Sequence, residues 1–181
     1  VPLTPLGEQQ AQALAQTWDF VPGRILVSPY LRTQQTAAPT IARFPDVPVE
    51  NWDIHEFTYW DRDYWGDTTP EEEFEEVVRY WRIADPDFRM GANGNFSESF
   101  ADLLRRTETT LDKLVELDSA APVILFSHGH FMQALRHTLQ WPHWTYAQKM
   151  ANFRAHDEMY RVLNTEKMVV EWEGKGKWRL V

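Results

Sequence analysis

The chain has 181 residues, with 27 acidic side chains against 18 basic ones and a formal charge of −9. That length suits one globular domain, and that charge argues against nucleic acid or an anionic membrane surface as the main partner. Apolar residues at 43% and nine Trp supply a packed core, while the lack of Cys rules out disulfides, thiolate zinc sites, iron–sulfur clusters and a Cys nucleophile; no run nears the roughly 20 apolar residues of a membrane span.

Thr4-Pro5-Leu6-Gly7-Glu8 reads as an N-cap Thr with Pro at the first helical position, and Ala11, Leu14, Ala15 and Trp18 follow at helical spacing. Pro22-Gly23 breaks that helix, and Ile25-Leu26-Val27 is an all-apolar run of the kind found in a buried parallel strand. Ser28-Pro29 ends the strand, and a helix over 31–43 is predicted, kinked or interrupted at Pro39. Residues 47–55 suggest a second strand. From Phe57 to Phe96 the composition turns to Tyr, Trp, Asp and Glu, the mark of an insertion.

Within that insertion Thr69-Pro70 starts an acidic helix whose Phe74, Val77, Val78 and Trp81 form one apolar stripe, expected to face inward while Glu71 to Glu76 face solvent. Asp85-Pro86 and Gly91-Ala92-Asn93-Gly94-Asn95 are loop chemistry. Ser97 or Ser99 caps a long helix, Val123 to Phe126 form a strand, and Phe131, Ala134, Leu135, Thr138 and Leu139 return to helical spacing. Met159–Leu163, Met168–Trp172 and Trp178–Val181 read as closing strands, the last two paired across Glu173-Gly174-Lys175-Gly176-Lys177. Alternating strands and helices indicate an α/β sandwich with a largely parallel sheet.

Ligands of open α/β sheets bind beyond the carboxyl ends of the strands. Two such ends carry suitable groups. Arg32, just past the first strand, offers a planar fork of donors to a phosphate or carboxylate, and His128 sits at a strand-to-helix turn beside Gly129. Each alone has an ordinary reading, Arg32 as a surface cation and His128 as a satisfied core imidazole. His128, His130, His137 and His143 invite a zinc reading, but a Gly separates the first two and no supporting carboxylate motif accompanies them. Trp52, Tyr59, Trp60, Tyr64 and Trp65 serve either as a core satellite or as a pocket lining.

Taken in order, Thr4-Pro5-Leu6-Gly7-Glu8-Gln9-Gln10-Ala11, Ser28-Pro29-Tyr30-Leu31-Arg32-Thr33-Gln34-Gln35-Thr36-Ala37, Glu98-Ser99 and Ser127-His128-Gly129 resemble the signature of the histidine phosphatase superfamily, the phosphoglycerate mutase-like group. The resemblance spans Leu3 to Leu139. It implies a three-layer α/β/α sandwich with a mainly parallel sheet, in which one histidine attacks a phosphoryl group held by two arginines and a second histidine. On this mapping Arg32 matches the second phosphate-binding arginine, His128 the second histidine, and Glu56 the position of the general-acid carboxylate. The family's nucleophile lies in an Arg-His-Gly motif ending a first strand that is internal to the sheet, and no Arg-His-Gly occurs in these 181 residues. The chain also starts at Val1, directly before a helix-start signal. An upstream segment of about 20 to 30 residues, enough for that strand and a loop, is therefore expected.

The resulting expectation is a single domain over 1–181 with a cap insertion over 57–96. Catalysis falls to His128, Arg32 and Glu56, and substrate binding to Arg32, His128, His130, Tyr59 and Trp60. The implied activity is hydrolysis of a phosphomonoester through a phosphohistidine intermediate, with a small phosphorylated metabolite as partner, neither nucleic acid nor membrane, no metal or cofactor, a homodimer as the assembly and the cytoplasm as the compartment. A phosphoglycerate mutase-like phosphotransferase and a non-catalytic phospholigand-binding protein are the alternatives.

Overall fold

The structure, a computed structural model, describes residues 1–60, 69–91, 97–117 and 119–181. At its centre β1 (Arg24–Val27) runs parallel to β2 (Val49–Asn51) on one side and to β3 (Val123–Phe126) on the other, with Leu26 opposite both Glu50 and Leu125. Because side chains alternate along a strand, Ile25 and Val27 point to one face of this sheet and Leu26 to the other. Each face has its own core.

On the first face α1 (Pro5–Gln16) and α2 (Leu31–Arg43) pack Leu14 and Ala37 against Ile25, Val27, Ile124 and Phe126. Thr4 caps α1 by accepting from the Gly7 amide, and α2 continues through Pro39. On the second face α4 (Phe100–Glu116), α5 (Gly129–Gln140) and α6 (Tyr146–Met159) gather Phe100, Leu103, Leu104, Phe131 and Phe153 with Leu26 and Ile54. Tyr80 of α3 (Pro70–Ile83) joins the same cluster. Each such large side chain, buried, contributes about 1.5–3 kcal/mol of hydrophobic stabilisation. The layers are those of the expected α/β/α sandwich, with the sheet in the middle.

Three helices begin on the caps expected from the sequence, Thr4 for α1, Thr69 in a reciprocal capping box with Glu72 for α3 and Ser99 in one with Asp102 for α4, and Thr145 with Gln148 forms a further box at the start of α6. Ser99, not Ser97, is the cap of the long helix.

Several expectations are corrected. The second strand is registered only over Val49–Asn51; Trp52 N still donates to Val27 O at 2.9 Å, and after it the chain leaves the sheet to carry Ile54 and Phe57 into the core. Met159–Leu163 is not a strand; Met159 ends α6, a helix the sequence pattern hid because its buried residues are Lys149, Met150 and Phe153. The closing strands β4 (Val170–Gly174) and β5 (Lys177–Leu180) pair antiparallel as a separate ribbon, outside the parallel sheet. Phe74 is 63% exposed: it starts one turn too early on α3, and the inward contact is made by Tyr80 and Trp81. Tyr64, Trp65 and the loop at 92–95 lie outside the described residues. Among the described residues no helix is long and apolar enough to cross a membrane.

Candidate functional site

The carboxyl ends of β1 and β3 lie side by side, because the two strands pair in parallel register from Arg24↔Val123 to Val27↔Phe126. The residues that follow each strand therefore meet. Ser28 and Arg32 come from the first, and Ser127, His128 and Gly129 from the second. Arg32 Nη2 lies 2.9 Å from His128 Nδ1, and Ser28 Oγ lies 2.8 Å from His128 Nε2.

These contacts define the imidazole's protonation. A guanidinium only donates, so Nδ1 must accept and the ring proton sits on Nε2, pointing at Ser28 Oγ. Thr33 agrees: its hydroxyl donates to Tyr30 O at 2.8 Å, so its oxygen, 3.4 Å from Nε2, is left to accept. His128 is only 6% exposed. Burial first, and then the nearby Arg32, His55 and Arg106 charges, lower its pKa from 6.5 to about 3, so the neutral ring prevails at physiological pH.

Tyr30 forms the floor between these groups. Its ring stands edge-on to His128 at 5.1 Å and stacks on His55 at 5.7 Å, and the Arg32 guanidinium lies 5.1 Å from its centroid. An aromatic face near a guanidinium holds it without using its N–H donors, which stay available to a ligand.

Glu56 stands beside the start of α5. Its Oε1 accepts from the amides of Phe57 at 2.9 Å and His130 at 3.1 Å, which places a carboxylate at the positive end of the helix. Its Oε2 would lie 3.9 Å from a Cβ added to Gly129, an ordinary van der Waals distance, so this oxygen sits over the Gly129 turn. One oxygen is thus anchored by two amides and the other faces the turn that bears His128.

Of the substrate-binding candidates, His130 lies between two carboxylates, with Nδ1 3.6 Å from Glu56 Oε1 and Nε2 3.7 Å from Asp157 Oδ2. Tyr59 accepts from Trp81 Nε1 at 2.8 Å and packs its ring on Phe57 and Tyr80, with its centroid 5.9 Å from that of His130. Burial raises its pKa well above the ordinary value, so it stays a neutral phenol. Trp60 packs against the same core cluster. His137 and His156 form a separate pair at the far end of α5, with ring centroids 4.6 Å apart.

Sequence reasoning gave no role to Ser28, Tyr30, Thr33 or His55, which complete the surroundings of His128. The first three sit in the segment following β1, and their position there was the available signal. Asp157 was out of reach because it lies on α6.

A family model described as Histidine phosphatase superfamily (branch 1) matches residues 1–177. No curated protein matches in a sequence search. Among solved structures, the alpha-ribazole phosphatase from Shigella flexneri is similar with a TM-score of 0.72 at 21% identity, the match covering 99% of this chain and 82% of that one. The mycobacterial glucosyl-3-phosphoglycerate phosphatase is similar with a TM-score of 0.69 at 22% identity, covering 100% of this chain and 86% of that one. An open-reading-frame product of Mycobacterium tuberculosis is similar with a TM-score of 0.63 at 24% identity, covering 100% and 83%.

Proposed function

The chain belongs to the histidine phosphatase superfamily (branch 1), and on that premise we propose that it hydrolyses a small phosphomonoester at the cleft between Arg32, His128 and Glu56, through a phosphohistidine intermediate. The observation that carries this reading is the 2.9 Å contact of Arg32 with His128 at the adjoining ends of two parallel strands.

Arg32 uses one N–H on His128 and offers the rest of its fork to phosphoryl oxygens. Such donors, fixed before the substrate arrives, stabilise the charge that spreads over those oxygens as the phosphoryl group transfers. A phosphoryl oxygen that takes the Nη2 donor frees His128 Nδ1. Next to a dianion the protonated ring is favoured, and it then donates to the same group. Glu56 Oε2, the oxygen not held by amides, carries the proton that goes to the leaving alcohol oxygen as the P–O bond breaks.

The attacking imidazole is the one the resemblance places in an Arg-His-Gly strand. β3 is an edge of the three-stranded sheet, with Ile124 and Phe126 buried, so its outer backbone groups suit the pairing of one more strand. The imidazole nitrogen bonds to phosphorus as the alcohol departs. Water then attacks the phosphohistidine, Glu56 takes its proton, and orthophosphate and the free imidazole are released.

The test is hydrolysis of p-nitrophenyl phosphate by these 181 residues alone and by the same residues preceded by a strand ending in Arg-His-Gly. The expected result is turnover only in the extended form, lost again on replacing the added histidine. Equal turnover in both would overturn the separate nucleophile. Phosphate binding without turnover in either would favour a non-catalytic phospholigand-binding role.

A further inference from the structure

Glu98, part of the motif Glu98-Ser99, has no place in the chemistry above, yet it forms the most enclosed ion pair of the described residues. Arg106 of α4 donates to it from Nε at 2.9 Å and from Nη2 at 2.8 Å, and the two side chains are only 9% and 11% exposed. The third nitrogen of the guanidinium points the other way. Arg106 Nη1 donates to Asp53 O at 3.3 Å and to His55 O at 2.8 Å. The intervening carbonyl, Ile54 O, accepts from Ser127 Oγ at 2.7 Å. Three successive carbonyls ahead of Glu56 are thus held from α4 and from the end of β3.

The chain just after Glu56 is held by the other half of the pair. Glu98 N donates to Thr58 O at 2.8 Å, and Thr58 N approaches Glu98 Oε2 at 3.4 Å. The segment 53–58 is therefore tied on both sides of Glu56 to one Arg–Glu unit. Ile54 and Phe57 are buried and anchor the segment by apolar contact, but apolar contact has no direction and leaves the peptide planes free to rotate. A bidentate guanidinium has a fixed fork, so the carbonyls that converge on it are oriented as well as held.

We propose that Arg106 and Glu98 are positioning residues for Glu56: they orient the peptide groups around it so that Oε1 is captured by the Phe57 and His130 amides and Oε2 is left aimed at the leaving-group oxygen. The inference rests on the reading of Glu56 as general acid. Removing the fork lets the segment rotate, and the carboxyl loses its aim while the Arg32–His128 seat remains.

Two substitutions and two readouts test it. Arg106→Lys keeps the charge and discards the fork, and Glu98→Gln keeps the shape and discards the charge. Amide hydrogen exchange of the Phe57 and His130 N–H groups, which bind Glu56, reports the positioning without any turnover. We expect these two amides to exchange at least about tenfold faster in either variant, with Leu26 and Leu125 amides unchanged. In the active protein, kcat for an alkyl phosphate, whose leaving oxygen needs a proton, falls at least about tenfold more than kcat for p-nitrophenyl phosphate, and KM stays within about twofold. Unchanged exchange at Phe57 and His130, or equal loss of protection across the sheet, overturns the proposal. So does lost protection without the leaving-group signature, when Glu56→Gln itself shows that signature. If Glu56→Gln shows none, the general-acid reading fails, and the exchange result still decides whether the pair positions the segment.

Discussion

Acidification from pH 8 to pH 5 leaves two buried imidazoles neutral in the fold and protonates them only in the unfolded chain. His128 is lowered to about 3 and His137 to about 4, in both cases through burial first. Nearby cations add to the effect: Arg32, His55 and Arg106 for His128, and His156, Lys149 and Arg136 for His137. His137 is fully buried, its Nδ1 donates to Gln133 O at 3.1 Å, and its Nε2 has no partner among the described residues, so a second ring proton finds no acceptor there. Both rings stay neutral in the fold at pH 5.

In the unfolded chain both rings return to the ordinary value near 6.5 and bind protons as the pH falls through it. The unfolded state then holds more protons than the native state, and stability must decrease as pH decreases. The loss starts just below pH 7. At pH 5 it amounts to about 2 kcal/mol for each ring, or about 4 kcal/mol together, against a typical domain stability of about 5–15 kcal/mol. With a urea dependence of about 2 kcal/mol per molar, the unfolding midpoint falls by about 2 M between pH 8 and pH 5. Urea unfolding followed by Trp fluorescence at four pH values measures this. His137→Gln, which removes one titrating ring, roughly halves the drop. A midpoint at pH 5 equal to or above that at pH 8 would refute the claim that these rings are buried and neutral.

Tyr80→Phe removes the hydroxyl that accepts from the Phe100 amide at 2.8 Å at the buried start of α4; leaving that donor unpaired costs about 1–3 kcal/mol, read as a lower urea midpoint. Ala84 ends α3 at φ 54° and ψ 28°, a left-handed conformation that strains a residue with a Cβ. Ala84→Gly is therefore expected to stabilise by roughly 0.5–1 kcal/mol, seen as a higher Tm.

Much of this arrangement is legible in the sequence because local chemistry agrees with tertiary packing. Thr4-Pro5, Thr69-Pro70 and Ser99 start helices, and the apolar runs 25–27 and 123–126 form the buried strands. Arg32 and His128 stand just after those strands, where position alone leaves an ordinary reading open and the family resemblance singles them out; parallel register brings them into contact. α6 was missed because its inward stripe contains Lys149, whose apolar stem is buried, so its pattern does not read as an apolar face. Phe74 differs for the opposite reason: an apolar residue at helical spacing predicts an inward face, yet Phe74, near the start of α3, is exposed and belongs to neither core cluster of the described residues. The clamp of Arg106 and Glu98 on the segment around Glu56 joins residues 40 to 53 positions apart, and no periodicity reports such a contact.

The central claim, that Arg32 and His128 form a seat for a phosphoryl group, is tested most directly by titrating orthophosphate into the 15N-labelled protein at pH 7 and following the imidazole nitrogens of His128. Without phosphate, Nε2 should be protonated and Nδ1 bare. Phosphate should shift Nδ1 toward the protonated position in a saturable way, and Arg32→Ala should weaken that saturation by about 10- to 100-fold, the loss of one or more charge-assisted hydrogen bonds of about 1.5–3 kcal/mol. Nitrogen signals of His128 that ignore phosphate, or an affinity that Arg32→Ala leaves unchanged, would contradict it.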